Sequence, residues 1–237
     1  MAQSRTGSMQ LLVINPNTTA SMTHKIGAAA TRAALPNTEV LAVNPDKGPE
    51  SIQGYYDEAI SLAGLLELVE ANPQADAIVL ACFDDTGLDA VRCISDKPVV
   101  GIGEAGYHLA AMLSNKFSVV TTLARSVSAL EHNLVRYGLA SRCASVRASQ
   151  VPVLELENPH SDARQKISTE VHKAITEDHA EAIVLGCAGM TDLAQSLSEE
   201  HGLPVLDGVV SAVGLCETMV RLNLNTSTLG GYAQPLS

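Results

Sequence analysis

Cys82 and Cys187 stand at matching places in two copies of one sequence pattern. The stretch from Ala75 reads ADAIVLACFDDTGLDA and the stretch from Ala180 reads AEAIVLGCAGMTDLAQ. At an offset of 105, eight of the sixteen positions are identical and the two cysteines coincide. In each copy the cysteine closes a short apolar run and opens a polar, turn-forming stretch. A thiol has a pKa near ~8.5, and its thiolate is a competent base. Two thiols at equivalent strand ends point to one pocket with a reactive group on either side. Such a pair can take a proton from one face of a carbon and return one to the other. The helix starts expected just after each cysteine, rich in Asp, Thr and Gly, would lower the thiol pKa. Their free amides would also hold the oxyanion that develops.

The elements that must position these thiols repeat as well. Met9-QLLVINPNT resembles Lys116-FSVVTTLAR at an offset of about 106, which pairs Asn15 with Thr121, and Pro98-VVGIGEA resembles Pro204-VLDGVVSA. The period is one α/β lobe, too long for a solenoid. Apolar, β-rich runs at 10–15, 38–43, 76–81, 98–102, 117–121, 144–148, 181–186 and 204–207 read as strands. Several are continuously apolar, as parallel strands covered on both faces should be. Helical faces lie between them: Ile26, Ala29, Ala30, Ala33; Ile60, Leu65, Leu68, Val69; Val127, Leu130, Leu134, Tyr137; Ile167, Val171, Ala174, Ile175. The expected fold is α/β: two similar parallel-sheet lobes related by a pseudo-twofold axis. The first lobe spans 9–104 plus the C-terminal helix in 210–237, and the second spans 105–209. Residues 1–8 are expected to be disordered. Sites in such sheets lie beyond the carboxyl ends of strands, where Cys82, Cys187, Asn15 and Thr121 all fall.

Composition narrows the function. A net charge of −11, with no basic stripe, argues against nucleic acid. No apolar run reaches the ~20 residues of a membrane span and no secretory signal opens the chain. Five cysteines without framework spacing fit reduced thiols of the cytoplasm. No metal-binding spacing is present, so no metal and no cofactor are expected. Cys93, Cys143 and Cys216 lack a counterpart in the other copy and read as core residues.

Taken together, INPNT at 14–18, GPESIQGYYDEA at 48–59, ACFDDTGLDA at 81–90, PVVGIGEA at 98–105, FSVVTTL at 117–123 and IVLGCAGM at 183–190 resemble the hydantoin racemase family. That family lies within the aspartate/glutamate racemase superfamily, close to the allantoin racemases. The resemblance runs over nearly the whole chain from Met9. It implies an aspartate/glutamate racemase-like fold and a cofactor-independent racemase with two bases. Cys82 and Cys187 match the catalytic thiols. Asn15, Thr121 and Thr122 match residues at the cleft, as do the turns Phe83–Asp84–Asp85 and Ala188–Gly189. The implied substrate is a small cyclic ureide, and a homo-oligomer is expected. Members commonly read FGDPG where this chain reads FDDTG, so Asp84 and Thr86 replace Gly and Pro. Glutamate racemases carry CNTAS and CTH at the cysteines, and neither is present. A hydantoin's C5–H is already acidified by its ring carbonyl and N-acyl nitrogen, so the missing His after Cys187 favours a cyclic ureide over a free amino acid. Racemisation of allantoin is the nearest alternative. An amino-acid racemase, a decarboxylase or a cis–trans isomerase of the superfamily, or a two-lobed small-molecule sensor, are the others.

Remaining features carry less chemistry. GIGEAG at 101–106 matches G-x-G-x-x-G, but its repeat counterpart DGVVSA does not, so it reads as close helix–strand packing. An anionic Asp84 in the pocket would oppose thiolate formation, which argues against its being a base. Asn15 is expected at the substrate and Asn17 in a structural turn. Ile52, Tyr55 and Tyr56 are candidates for the wall around a ring substituent.

Overall fold

The computed structural model describes residues 8–235; of the N-terminal segment expected to be disordered, all but Ser8 lies outside these. The first half of the chain runs β1 (Met9–Ile14), α1 (Ala20–Ala33), β2 (Thr38–Val43), α2 (Tyr55–Glu70), β3 (Ala77–Leu80), α3 (Leu88–Ile94), β4 (Val99–Gly101) and α4 (Ile102–Leu113). The second half repeats it as β5 (Phe117–Thr121), α5 (Ala124–Arg136), β6 (Cys143–Ala148), α6 (Ala163–Thr176), β7 (Ala182–Gly186), α7 (Ala194–His201), β8 (Val205–Asp207) and α8 (Gly208–Arg221). Each half forms one parallel sheet of four strands, in the orders β2-β1-β3-β4 and β6-β5-β7-β8. The same order in the same sequence of elements is the duplication seen in three dimensions.

Strand alternation sorts the core into three clusters. In β1 and β3, Leu11, Val13, Ala77 and Val79 face a central core, while Leu12, Ile14, Ile78 and Leu80 face outward onto α2 and α3. In β7, Ala182 and Val184 face the central core, and Ile183 and Leu185 meet α6 and α7. The central core is shared between the two sheets. Helix α4 packs on β7 and helix α8 on β3 and β4, and the two helices pack on each other, so each sheet is covered by the last helix of the other half. Of the expected helical faces, Ile26, Ala29 and Ala30 on α1, Ile167, Val171 and Ala174 on α6, and Leu65 and Val69 on α2 are buried, but Ile60 on α2 is exposed and Ser61 faces inward in its place.

The start of α4 explains GIGEAG. Asp85, in the turn after Cys82, accepts hydrogen bonds from the Gly103 and Glu104 amides at 2.9 and 2.8 Å. It thereby caps a helix eighteen residues downstream. A Cβ on Gly101 would come within 2.0 Å of the Asp85 carboxylate, and one on Gly103 within 2.3 Å of the Phe83 carbonyl. Gly106 lies so close to β7 that a Cβ would meet Val184 at 2.7 Å. The glycines give room for tertiary packing, as their place in the repeat implied. In the second half the residue equivalent to Gly101 is Asp207, which caps α8 itself through the Val209 and Val210 amides. One half borrows its cap from the cysteine turn, and the other carries it locally.

Candidate active site

Strands β3 and β7 are the inner strands beside which the two half-chains meet, and Cys82 and Cys187 lie just past their carboxyl ends. The turns that follow have one shape. The Asp85 amide donates to the Cys82 carbonyl at 3.0 Å, and the equivalent Met190 amide donates to the Cys187 carbonyl at 3.0 Å. Two residues past each cysteine, the Asp84 and Gly189 amides act on the respective sulfurs and pull each thiol pKa down. Thr86 adds a hydroxyl to the Cys82 sulfur at 3.5 Å. Its repeat partner Thr191 is turned away and donates to Asp207.

Both sulfurs line one cleft of about 410 Å³, its open mouth included. Phe83, Asp84, Thr121, Thr122 and Ala188 line it with them. Thr121 spends its hydroxyl proton on the Gly186 carbonyl at 2.9 Å. Three residues of the expected set are placed otherwise. Asn15 is bound locally to Asn17, Thr19 and Thr23, and Asn17 reaches the cleft instead. The Asp85 carboxylate is directed at α4 and at the Tyr137 hydroxyl, 2.7 Å away. Gly189 serves through its amide and through the absence of a side chain, since a Cβ there would meet Leu156 at 2.9 Å. Ile52 lines the cleft, with Met22, Ser126 and Val153, whereas Tyr55 and Tyr56 are exposed. Ser126 and Val153 carried no signal in the sequence. They stand on α5 and on a short turn after β6 whose positions only the folded chain defines.

The electrostatics differ from the expectation. No α-helix starts at either cysteine: α3 begins at Leu88 behind a left-handed Gly87, and α7 begins at Ala194. Cys187 stands at the N-cap of a single 3-10 turn, Ala188–Met190, and neither sulfur meets the end of an α-helix. Burial dominates and pushes the Cys82 thiol well above its ordinary value, with the Asp84 charge adding to it. Burial likewise pushes Cys187 up to about 11, against the Gly189 amide and the charge of Lys25. Both thiols are thus held toward the protonated form at neutral pH. Asp84 is itself shifted toward its neutral form: burial, followed by the charges of Glu58 and Asp85, raises it to about 8, which weakens the conflict noted for an anion beside the thiol. Among the described residues no cluster of His, Cys, Asp and Glu is arranged to hold a metal, and no helix is long and apolar enough to cross a membrane.

A family model described as Asp/Glu/Hydantoin racemase matches residues 11–216. The chain belongs to that racemase family. It is an isomerase, and its two-lobed fold is that of the Asp/Glu racemases. A hydantoin racemase from Pseudomonas sp. (strain NS671) is 45% identical, over 96% of this chain and 92% of its own length. A hydantoin racemase from Rhizobium meliloti is 44% identical, over 96% of this chain and 95% of its own. Among solved structures, the allantoin racemase from Klebsiella pneumoniae superposes with a TM-score of 0.95 at 46% identity, covering 97% of this chain and 95% of that one.

Proposed function

We propose that this racemase inverts C5 of 5-monosubstituted hydantoins by a 1,1-proton transfer between Cys82 and Cys187. The observation that carries the reading is that the two repeat-related cysteines line one cleft, each at the end of its own sheet. In one direction a Cys82 thiolate takes the C5 proton. The electron pair left behind delocalises onto the C4 carbonyl oxygen, and the Cys187 thiol delivers its proton to the opposite face. In the other direction the roles exchange. The proton count is conserved in each passage, one thiol and one thiolate entering and leaving. Backbone amides and small hydroxyls around the sulfurs supply donors for the enolate oxygen without reorganising at the moment of transfer.

The lining favours a neutral ring over a free amino acid. Among the described residues that line the cleft, none is Lys, Arg or His, so a substrate carboxylate would be desolvated without a cationic partner. A cyclic ureide presents carbonyls and N–H groups, which amides, Asn17 and the Thr and Ser hydroxyls can match.

The close structural likeness to an allantoin racemase supports a second reading, the same chemistry on a ring that carries a ureido group at C5. The two differ in what the wall of Ile52, Met22 and Val153 must accept, and three apolar side chains favour an apolar substituent.

The test is optical rotation of enantiopure 5-substituted hydantoins and of allantoin with the purified protein, repeated in D2O with Cys82→Ser and Cys187→Ser. A hydroxyl is a far weaker base than a thiolate, so both variants should stop racemising. Each should still exchange the C5 proton of one enantiomer, and the two should prefer opposite enantiomers. Near-normal racemisation by either variant, or exchange of the same enantiomer by both, would sink the two-thiol mechanism. Turnover of allantoin alone would replace the substrate and leave the mechanism standing.

A further inference from the structure

Each cysteine turn is held by a side chain from the opposite half of the molecule. Lys25, on α1 of the first half, donates from Nζ to the Gly189 carbonyl at 2.7 Å and pairs with Asp192 at 3.0 Å. Asn133, on α5 of the second half, donates from Nδ2 to the Asp84 carbonyl at 2.8 Å. The correspondence is close. Helices α1 and α5 each follow the first strand of their half, and Asp84 and Gly189 are each the second residue past a cysteine. Asp84 and Gly189 are also the residues whose amides meet the sulfurs. In both turns, then, one residue offers its N–H to the thiol of its own half while its carbonyl is gripped by the other half.

We propose that Lys25 and Asn133 are reciprocal positioning residues, each holding from across the interface the turn that presents a backbone amide to a reactive sulfur. The inference rests on the reading of Cys82 and Cys187 as the two bases. Each gripped carbonyl belongs to the peptide group whose N–H, that of Asp85 or Met190, closes the turn onto the cysteine carbonyl, so the clamp fixes the turn that carries the Asp84 or Gly189 amide beside the sulfur and favours the thiolate. The device is duplicated in geometry but not in charge. Lys25 adds a positive charge near Cys187, whereas Asn133 brings only a dipole to the turn of Cys82. Around Cys187 the other charged groups are Asp84 and Glu157, and around Cys82 they are Asp84 and Cys187 itself. Lys25 is the cation in this set.

Steady-state rates cannot separate the two clamps. Enantiomers have equal free energy, so kcat/KM is the same in both directions whichever thiol is weakened. The sulfurs must be read one at a time. Iodoacetamide reacts with the thiolate, so below its pKa a thiol's alkylation rate falls about tenfold per unit of upward pKa shift. Site-resolved mass spectrometry of the alkylated, ligand-free protein at fixed mildly alkaline pH gives both rates in one sample. Lys25→Met should slow Cys187 by about tenfold, the loss of one nearby charge and one fixed amide, and leave Cys82 within about twofold. Asn133→Ala should slow Cys82, by a smaller factor, and leave Cys187 unchanged. Lys25→Arg should restore most of the Cys187 rate.

A purely structural role predicts the opposite sign. Loosened turns would expose the buried sulfurs, and both would react faster. That result, equal change at both cysteines, or no change at either would overturn the proposal. Asn133→Ser, a milder truncation that also loses the reach to Asp84, takes the place of Asn133→Ala if the latter fails to fold. Because alkylation reads the sulfurs without substrate, its outcome stands apart from the turnover test of the hydantoin reading.

Discussion

Asp85→Ala removes the acceptor for three donors at once, the buried Gly103 amide and the partly buried Glu104 amide and Tyr137 hydroxyl. Each donor left unsatisfied costs about 1–3 kcal/mol, the hydroxyl least because it can rotate. Asp85 also has a φ of 53°, a conformation that Asp tolerates better than Ala. The expected total is about 3–5 kcal/mol, which for a chain of this size lowers Tm by roughly 6–20 °C. A second substitution isolates the charge. Burial pushes the Asp85 carboxyl up to about 7, against the pull of its three donors. In the unfolded chain its pKa is about 3.9. The folded state therefore binds this proton more tightly. The resulting stability is complete below about pH 4, declines as pH rises, and is gone above the folded-state value. At about 1.4 kcal/mol per unit, the wild type should lose roughly 2–3 kcal/mol from this group between pH 5 and pH 8. Asp85→Asn cannot titrate. The assay is urea unfolding of wild type, Asp85→Ala and Asp85→Asn at several pH values. The wild-type advantage over Asp85→Asn should shrink across that range. A flat difference, or one that grows with pH, would show that the three donors outweigh burial. A cost below about 1 kcal/mol for Asp85→Ala would refute the role of Asp85 as a tertiary cap.

Gly103→Ala should be severely destabilising, because its Cβ would lie 2.3 Å from the Phe83 carbonyl, a backbone atom that cannot swing aside. A thermal melt should show a loss worth at least ~2 kcal/mol, and an unchanged melt would contradict the packing described. Cys187, pushed up to about 11 by burial, should alkylate in the ligand-free protein at a rate that climbs without plateau from pH 7 to pH 10. A plateau near neutrality would mean that the turn amide and Lys25 overcome desolvation.

The inner strands were legible because both of their faces are covered, whereas the edge strands β2 and β6, only partly buried, showed through their β-rich composition. A strand buried on two sides shows up as an apolar run, and all eight runs became strands, with 38–43 and 117–121 matching in both bounds. The duplication was legible for a different reason: residues at the two cysteine turns repeat in identity, not only in polarity. Side-chain direction in a turn has no such period. The match of Asn15 to Thr121 located the end of β1 but could not say that Asn15 folds back on Thr23 while Asn17 reaches the cleft. The role of Asp85 depends on a contact with residues 103 and 104 that no local pattern encodes. Its trace in the sequence was GIGEAG, whose glycines mark a close approach without naming the residue that approaches. The helix expected after Cys82 starts later, at Leu88, whereas a single 3-10 turn, Ala188–Met190, begins directly after Cys187; polar turn residues followed by Leu88 or Leu193 look the same whether the first turn is α-helical or not.

The raised thiols are consistent with a two-base mechanism once the pair is considered together. A two-thiol racemase needs one sulfur charged and the other neutral, never both charged. Burial penalises each ionisation, and the charge of either sulfur opposes that of the other, as Cys187 does for Cys82. The doubly ionised state is therefore the most penalised, and proton transfer through the substrate leaves the total charge unchanged. The supports are unequal in kind: Cys82 has the Thr86 hydroxyl, and Cys187 has the field of Lys25. Equal free energies of the two enantiomers fix the ratio of forward to reverse rates but not the height of the barrier. The barrier is lowest when neither sulfur holds its proton much more tightly than the other, because a large mismatch slows whichever transfer runs uphill. A duplicated fold supplies matched geometry, and on the two-thiol reading the unlike supports, Thr86 at one sulfur and Lys25 at the other, are left to keep the two proton affinities close.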